Sequence, residues 1–352
     1  MIRTSGGEDD RLLIVVHHLG IDGISWRILM EDLHTAYNQL LRNGNTQLPK
    51  KTTSYKEWSD SLKEFAVSDK ITEQKDYWLS LADKKIQSLP YDNSAGSNTA
   101  ESIVTVTVES NEQDTQTLLR EVPKAYNTQI NDILLTALIN SYHKWSTNDR
   151  LLINLEGHGR EGVNESIDVS RTIGWFTSVY PVLLETENPD DIAESIKLVK
   201  EYLRQIPDNG IGFGLLKYLN TDADIKERFR SFPVPELVFN YLGQLNLNIT
   251  PESDWKLGKR LIVSDQNEKG NHYHKLEINS IISDGKLRID FTFSRNNFHK
   301  ETIENFSRIY MDVLKNIIEH CAASENGGYT PSDFSASGLD QHELDNLLAN
   351  LN

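Results

Sequence analysis

The stretch HKLEINSIISDGKLRIDFTFS, residues 274–294, constrains this chain's fold more than any other. Apolar and polar residues alternate on both sides of Asp284-Gly285. Strict alternation sends successive side chains to opposite faces of a strand, so each arm has one face for a core. Asp-Gly supplies the left-handed backbone of a tight hairpin turn. The chain therefore contains an antiparallel hairpin.

Other segments read as strands. IVTVTVES (103–110) alternates and is β-branched. RLLINLEGHGRE (150–161) is a strand running into a polar, Gly-punctuated loop, and IGWFTSVYPVLLE (173–185) is a strand bent at Pro181. PELVFNYLGQL (235–245) and the short run RLLIVV (11–16) complete the set. Between them lie helical patterns. Residues 24–41 carry apolar side chains at 24, 28, 29, 33, 37, 40 and 41, which is helical spacing. Further helices are read over 54–66, 73–82, 114–127, 130–146, 191–206 and the long closing segment 299–321. LPYDNSAGSNTAES (89–102) is the most linker-like stretch and a candidate boundary between lobes. From 335 on, the chain reads as a linker or tail. Strands and helices alternate without the regularity of a doubly wound sheet, which predicts a mixed-sheet α/β sandwich.

Composition removes several function classes. The formal net charge is −16, and neither a nucleic acid nor an anionic membrane surface is a suitable partner for such a chain. No apolar run approaches the ~18 residues of a membrane span. The one cysteine, Cys321, forbids an internal disulfide and sits in a helical apolar pattern, as a buried small hydrophobe would. A reducing, cytoplasmic setting fits. HExxH, CxxC, EF-hand and GxSxG patterns are all absent, so the sequence signals neither a metal site nor a serine nucleophile elbow. PDNGIGFG (207–214) is glycine-rich, but no strand precedes it and no Lys-Ser/Thr follows, so it is a poor phosphate loop.

Chemistry concentrates elsewhere. VVHHLGIDGISW (15–26) holds two adjacent histidines, an Asp-Gly and the start of a helix. On a strand, only one of His17 and His18 faces a given cleft, and the other is a packed neighbour. A histidine is the usual general base near neutral pH and needs a partner to fix its ring. Asp22 can cap the following helix, orient a histidine, or anchor the loop to a cation elsewhere. Gly23 leaves room for a backbone or a ligand. In NLEGHGRE (154–161), Glu156 ends a strand and is followed by glycines that admit a close approach. A salt-bridged turn with Arg160 and Glu161 nearby accounts for the same residues. In VFNYLGQL (238–245), Asn240 and Tyr241 interrupt an apolar strand, and they either pair internally or face a cleft.

Taken together and in order, these motifs resemble a known family. HHLGIDGISW is similar to the HHxxxDG signature of the condensation-domain superfamily of non-ribosomal peptide synthetases. SWRILMEDL, INLEGHGRE, TIGWFTSVYPVLL, GIGFG, FNYLGQL, the 276–287 hairpin and YTPSDF resemble its epimerisation branch, over residues 11–334. The resemblance implies a chloramphenicol-acetyltransferase-like pair of lobes with a tunnel between them. It implies His18 as the catalytic histidine and Glu156 as the acidic residue facing it, with His17, Asp22 and Gly23 in support. Asn240 and Tyr241 would line the site, and Arg171 would be a cation close to it.

The implied reaction is L-to-D inversion of the α-carbon of an aminoacyl or peptidyl thioester, an isomerase activity. The substrate would arrive on the phosphopantetheine of a carrier protein domain, with neither pyridoxal nor metal bound by this chain. Residues 1–88 would be the remnant of an N-terminal lobe that is mostly missing, 89–334 the C-terminal lobe and 335–352 a tail. The rest of the synthetase would then be a partner, and residues 1–85 would fray without it. The alternatives are a condensation domain that forms a peptide bond, or an inactive carrier-docking remnant.

Overall fold

The computed structural model describes residues 10–244, 255, 270–323, 327–334 and 338–349. Six strands form one sheet: β1 (Ile103–Glu109), β2 (Arg150–Gly157), β3 (Ser178–Glu185), β4 (Leu237–Gln244), β5 (Leu276–Ser283) and β6 (Lys286–Ser294). Their order is β1-β6-β5-β4-β2-β3. The β4 neighbours β2 and β5 run parallel to it, and the remaining pairs are antiparallel, so the sheet is mixed.

The hairpin forms as its alternation predicts. β5 and β6 pair from Ser283↔Lys286 to Leu276↔Phe293, and the turn residues Asp284 and Gly285 both take positive φ, 52° and 76°. Leu276, Ile278, Ile282, Leu287, Ile289, Phe291 and Phe293 are buried. The side chains between them, Glu277, Asn279, Arg288, Asp290 and Thr292, lie on the other face and are half-buried. Helices Ile130–Ser146 and Lys300–Ala323 cover the apolar face. The Tyr310 hydroxyl, fully buried there, donates to the Leu134 carbonyl at 2.9 Å. Cys321 is buried in the same layer, and burial pushes its thiol up to about 12. β3 is an edge strand, which is where Pro181 can sit without breaking a ladder. Among the described residues, no helix is long and apolar enough to cross a membrane.

The structure departs from the sequence reading in two places and adds local structure to it in two more. Residues 12–16 of RLLIVV do not form a strand. Their apolar side chains are largely exposed, Val15 at 81%, and Arg11 alone makes an isolated bridge. A β-prone run becomes a strand only where a ladder partner meets it. The strand read over 173–185 begins only at Ser178, because residues 173–177 are drawn into a loop against the first long helix. The linker-like stretch 89–102 is tied down. The Leu89 amide donates to Glu236 at 2.8 Å, and the Asn98 side chain donates to the carbonyls of His272 and His274 at 2.8 Å each. Finally, the tail contains a helix, Gln341–Ala349, capped reciprocally by Asp340 and Glu343, with Leu344 buried. Residues 335–337 and 350–352 of that tail, and 1–9 at the start, lie outside the described residues.

Candidate functional site

The site has two halves. The first begins at Asp22, whose extended backbone precedes the helix Gly23–Asn43. Its Oδ1 accepts from the Ser25 amide at 2.7 Å, capping the helix. Its Oδ2 accepts from the Phe176 amide at 3.1 Å, and its own amide donates to the Gly174 carbonyl. The Arg160 guanidinium lies against it at 3.3 Å, both side chains almost fully buried. Arg160 also donates to the carbonyls of Val169 and Thr172, at 2.6 and 2.9 Å, and to Ser25 Oγ at 2.9 Å, and it stacks on the Phe176 ring. Burial alone would raise the Asp22 carboxyl. The hydrogen bonds from Ser25 and Phe176 and the Arg160 charge outweigh it, and the net direction is downward. Of the three roles open to Asp22 from sequence, the geometry shows the cap and the anchor to a cation together. Gly23 faces open space, since a Cβ there would meet nothing within 4 Å.

His17 and His18 stand just before this anchor, in a short 3₁₀ turn instead of a strand. Strand alternation therefore does not sort them, and both are exposed. His17, expected to be packed, points its Nδ1 at the Leu19 amide and accepts at 3.1 Å. His18 Nδ1 lies 2.9 Å from the Ile21 carbonyl oxygen. A carbonyl only accepts, so His18 carries a proton on Nδ1, and in the neutral ring the lone pair lies on Nε2. The Trp175 ring lies 5.7 Å from the imidazole, centroid to centroid.

The second half is built on the sheet. Glu156 ends β2, and Asn240, on the neighbouring β4, donates to its Oε2 at 2.8 Å. The Glu156 side chain reaches water, yet protein crowds it on most sides. That crowding raises its carboxyl above the ordinary value, and the Glu277 carboxylate adds to the rise. His18 and His274 are near enough for their charge to pull it partly back. The histidine half and the carboxylate half are thus close enough to feel one another's charge. The local salt-bridged turn does not use Glu156. Arg160 goes to Asp22, and Glu161 faces His158 at 3.5 Å and accepts from Asn209. Gly159 serves packing within the loop: its φ is +65°, and a Cβ there would lie 1.7 Å from the Phe176 carbonyl oxygen.

Two expected neighbours lie elsewhere. Tyr241 follows Asn240 on the strand and so points to the other face, where it packs against the core. Arg171 pairs with Glu31 and Asp32 on the helix Gly23–Asn43 and leaves the site to Arg160. Sequence reading missed Arg160 as the partner of Asp22 and Trp175 as the neighbour of His18. Both lie within recognisable motifs, but no spacing rule links positions 22 and 160.

The Condensation domain family profile matches residues 2–339. Gramicidin S synthase 1 of Brevibacillus brevis is 42% identical over 356 residues, covering 99% of this chain. Bacitracin synthase 3 of Bacillus licheniformis is 39% identical over 348 residues, again covering 99%. The chain spans 32% and 5% of the length of these two relatives. Among solved structures, the epimerization domain from the third module of tyrocidine synthetase B superposes with a TM-score of 0.80 at 37% identity, covering 88% of this chain and 69% of that one. The mixed sheet and its helices are those of this fold. Because the family match runs through both halves of the site, from the histidine segment past the last strand, the chain belongs to the condensation-domain family.

Proposed function

We propose that this domain inverts the α-carbon of an aminoacyl or peptidyl thioester delivered on the phosphopantetheine of a carrier protein. The observation that carries the reading is the nearness of His18 to Glu156: an imidazole whose Nδ1 faces a carbonyl, and a carboxyl bound by Asn240, raised above its ordinary proton affinity and near enough to feel the histidine's charge. The 37% identity to an epimerization domain supports the same branch.

The thioester carbonyl makes the α-proton weakly acidic. One of the two groups takes that proton, and the electron pair of the C–H bond passes into the enolate. The other group returns a proton to the opposite face, and the enolate collapses to the inverted thioester. In its neutral form His18 has its lone pair on Nε2 and suits the accepting role, and Glu156, with its raised carboxyl, suits the donating one. The reverse reaction exchanges the roles. This chain then needs no cofactor of its own, and its partners are the carrier domain and the rest of a synthetase.

The test is α-deuterium wash-in in D₂O on an aminoacyl-loaded carrier protein. Deuterium at the α-carbon without a longer peptide supports epimerisation. A longer peptide without deuterium would make this a condensing domain, and carrier binding with neither product would make it a docking module.

A further inference from the structure

The glycine-rich motif PDNGIGFG (207–214) is a poor phosphate loop, but its backbone is unusual. Three successive residues take left-handed backbone: Asp208 at φ 42°, Asn209 at 50° and Gly210 at 85°. Glycine does so freely, whereas in Asp and Asn the Cβ crowds the following carbonyl. Strain of this kind persists only where the surroundings over-determine it. Here they do. One Asp208 carboxyl oxygen accepts from Gln74 Nε2 at 2.8 Å, and the other meets Lys70 Nζ at 2.8 Å. Gln74 is itself buried, and its Oε1 would lie 1.9 Å from a Cβ at position 212, so only glycine admits that approach. Asn209 Nδ2 donates to Glu161 Oε2 at 2.9 Å. Gly210 lies against the Tyr180 ring, which a Cβ there would meet at 2.1 Å.

The same ring touches the end of β2. A Cβ on Gly157, the residue after Glu156, would lie 3.3 Å from Tyr180 Cε1 and 3.4 Å from the Asn209 carbonyl oxygen. Tyr180 is thus wedged between Gly157 and Gly210. Trp78 backs the wedge, edge-on to Tyr180 and to Phe213 of the same motif, with ring centroids 6.3 and 5.4 Å away. The strained turn therefore holds the loop leaving β2 at two points. One is Gly157, through the Asn209 carbonyl and the Tyr180 ring. The other is Glu161, through the Asn209 side chain. Between these points lies Arg160, which clamps Asp22, and just before them stands Glu156.

We propose that the Asp208–Gly210 turn braces the loop leaving β2, and that Asn209 is a positioning residue that fixes this loop at both ends and so fixes where the Glu156 carboxyl stands. The left-handed backbone sends the Asn209 carbonyl to Gly157 and its side chain to Glu161 at once. The consequence for rate rests on the proposed reaction, whereas the brace does not.

The experiment uses the full chain and three variants, Asn209→Gly, Glu161→Ala and Glu161→Gln. Glycine takes left-handed backbone without strain, so Asn209→Gly removes the link to Glu161 and should move the melting temperature little. Amide hydrogen exchange should rise at residues 157–161 with 151–155 still protected. The NMR signals of the Glu156 carboxyl and of the Asn240 side-chain amide bound to it should shift. Wash-in of α-deuterium should slow by about 10–10²-fold in kcat, with KM for the loaded carrier protein unchanged. Glu161→Ala should act in the same way, which keeps the test open if the glycine variant folds poorly. Glu161→Gln keeps an acceptor for Asn209 and should stay close to the parent chain. Unmoved Glu156 and Asn240 signals in both Asn209→Gly and Glu161→Ala overturn the brace. Shifted signals with undiminished wash-in overturn the positioning role. Shifted signals where the parent chain shows no wash-in keep the brace and remove the proposed reaction.

Discussion

Glu156 and His18 lie near enough to feel one another's charge but are held in opposite ways. Glu156 extends from a strand whose preceding residues, 151–155, are all buried, and a neighbouring strand supplies its hydrogen-bond partner. His18 sits in an exposed turn whose neighbours pack little, and its place depends on an anchor four residues further on. That anchor is a single buried ion pair, Asp22–Arg160, bound into a web of main-chain hydrogen bonds. Backbone pairing and apolar burial spread the support of the carboxylate over many residues. Support for the histidine is concentrated in two. The difference teaches that proton affinity and position are set separately here: crowding and charge tune Glu156, while a remote clamp aims His18.

The largest effect expected is on chemistry at the rigid half. Under the proposed reaction, Glu156→Gln should slow α-proton exchange by about 10²–10⁴-fold, the usual worth of a general acid–base group. It should not cost stability. The Glu156 carboxyl is raised in the fold, so its contribution is fullest at low pH and is lost as pH rises through the folded value. Above the folded value the fold bears a charge it disfavours, and the neutral glutamine removes it. A thermal melt at pH 7 that falls sharply in Glu156→Gln would show that the strand half is not independently held.

Next comes the clamp. Asp22→Ala should destabilise the histidine half by about 3–5 kcal/mol, because it strands a buried guanidinium. Hydrogen exchange should rise first at the amides of Ser25 and Phe176, with β2 and β4 still protected. The Asp22–Arg160 double variant should cost less than the sum of the singles. The pH dependence runs opposite to that of Glu156. The lowered Asp22 carboxyl stabilises the fold above its ordinary value of 3.8, and the contribution is lost as pH falls through the lower folded value. Acid should thus release the histidine half first. Simultaneous loss of protection in both halves would break the comparison.

Trp175→Ala tests the contact between the indole and His18. An aromatic pair of this kind is worth about 0.5–1.5 kcal/mol. The variant should mobilise the His18 ring in NMR relaxation with only a small change in melting temperature. The smallest effect belongs to Arg171→Ala. Its partners are surface carboxylates, so the cost should stay within about 1 kcal/mol and α-proton exchange should be unchanged. A large loss of exchange would return Arg171 to the site.

Much of this was legible in the chain itself. The 276–294 hairpin, β1, β2, β4 and the long helices follow from local periodicity, which each segment carries with it. Asp22 as a helix cap and Glu156 at a strand end follow from the same local rules. What could not be read were meetings between distant segments. RLLIVV has every mark of a strand, but a strand exists only with a partner, and propensity does not supply one. Alternation sorted Asn240 from Tyr241 correctly only once the face of β4 that meets Glu156 was known. Arg160, not Arg171, binds Asp22 because the loop after β2 carries it beneath the helix N-terminus, while Arg171 meets the acidic side of the same helix. His272 and His274 meet Glu277 at the start of β5, and Asn98 of the 89–102 stretch holds both histidine carbonyls. Periodicity and capping are properties of neighbours in sequence, so the sequence alone determined them. Ion pairs, ring contacts and shifted proton affinities depend on which loops converge and how much water is excluded, and only the tertiary structure decided those.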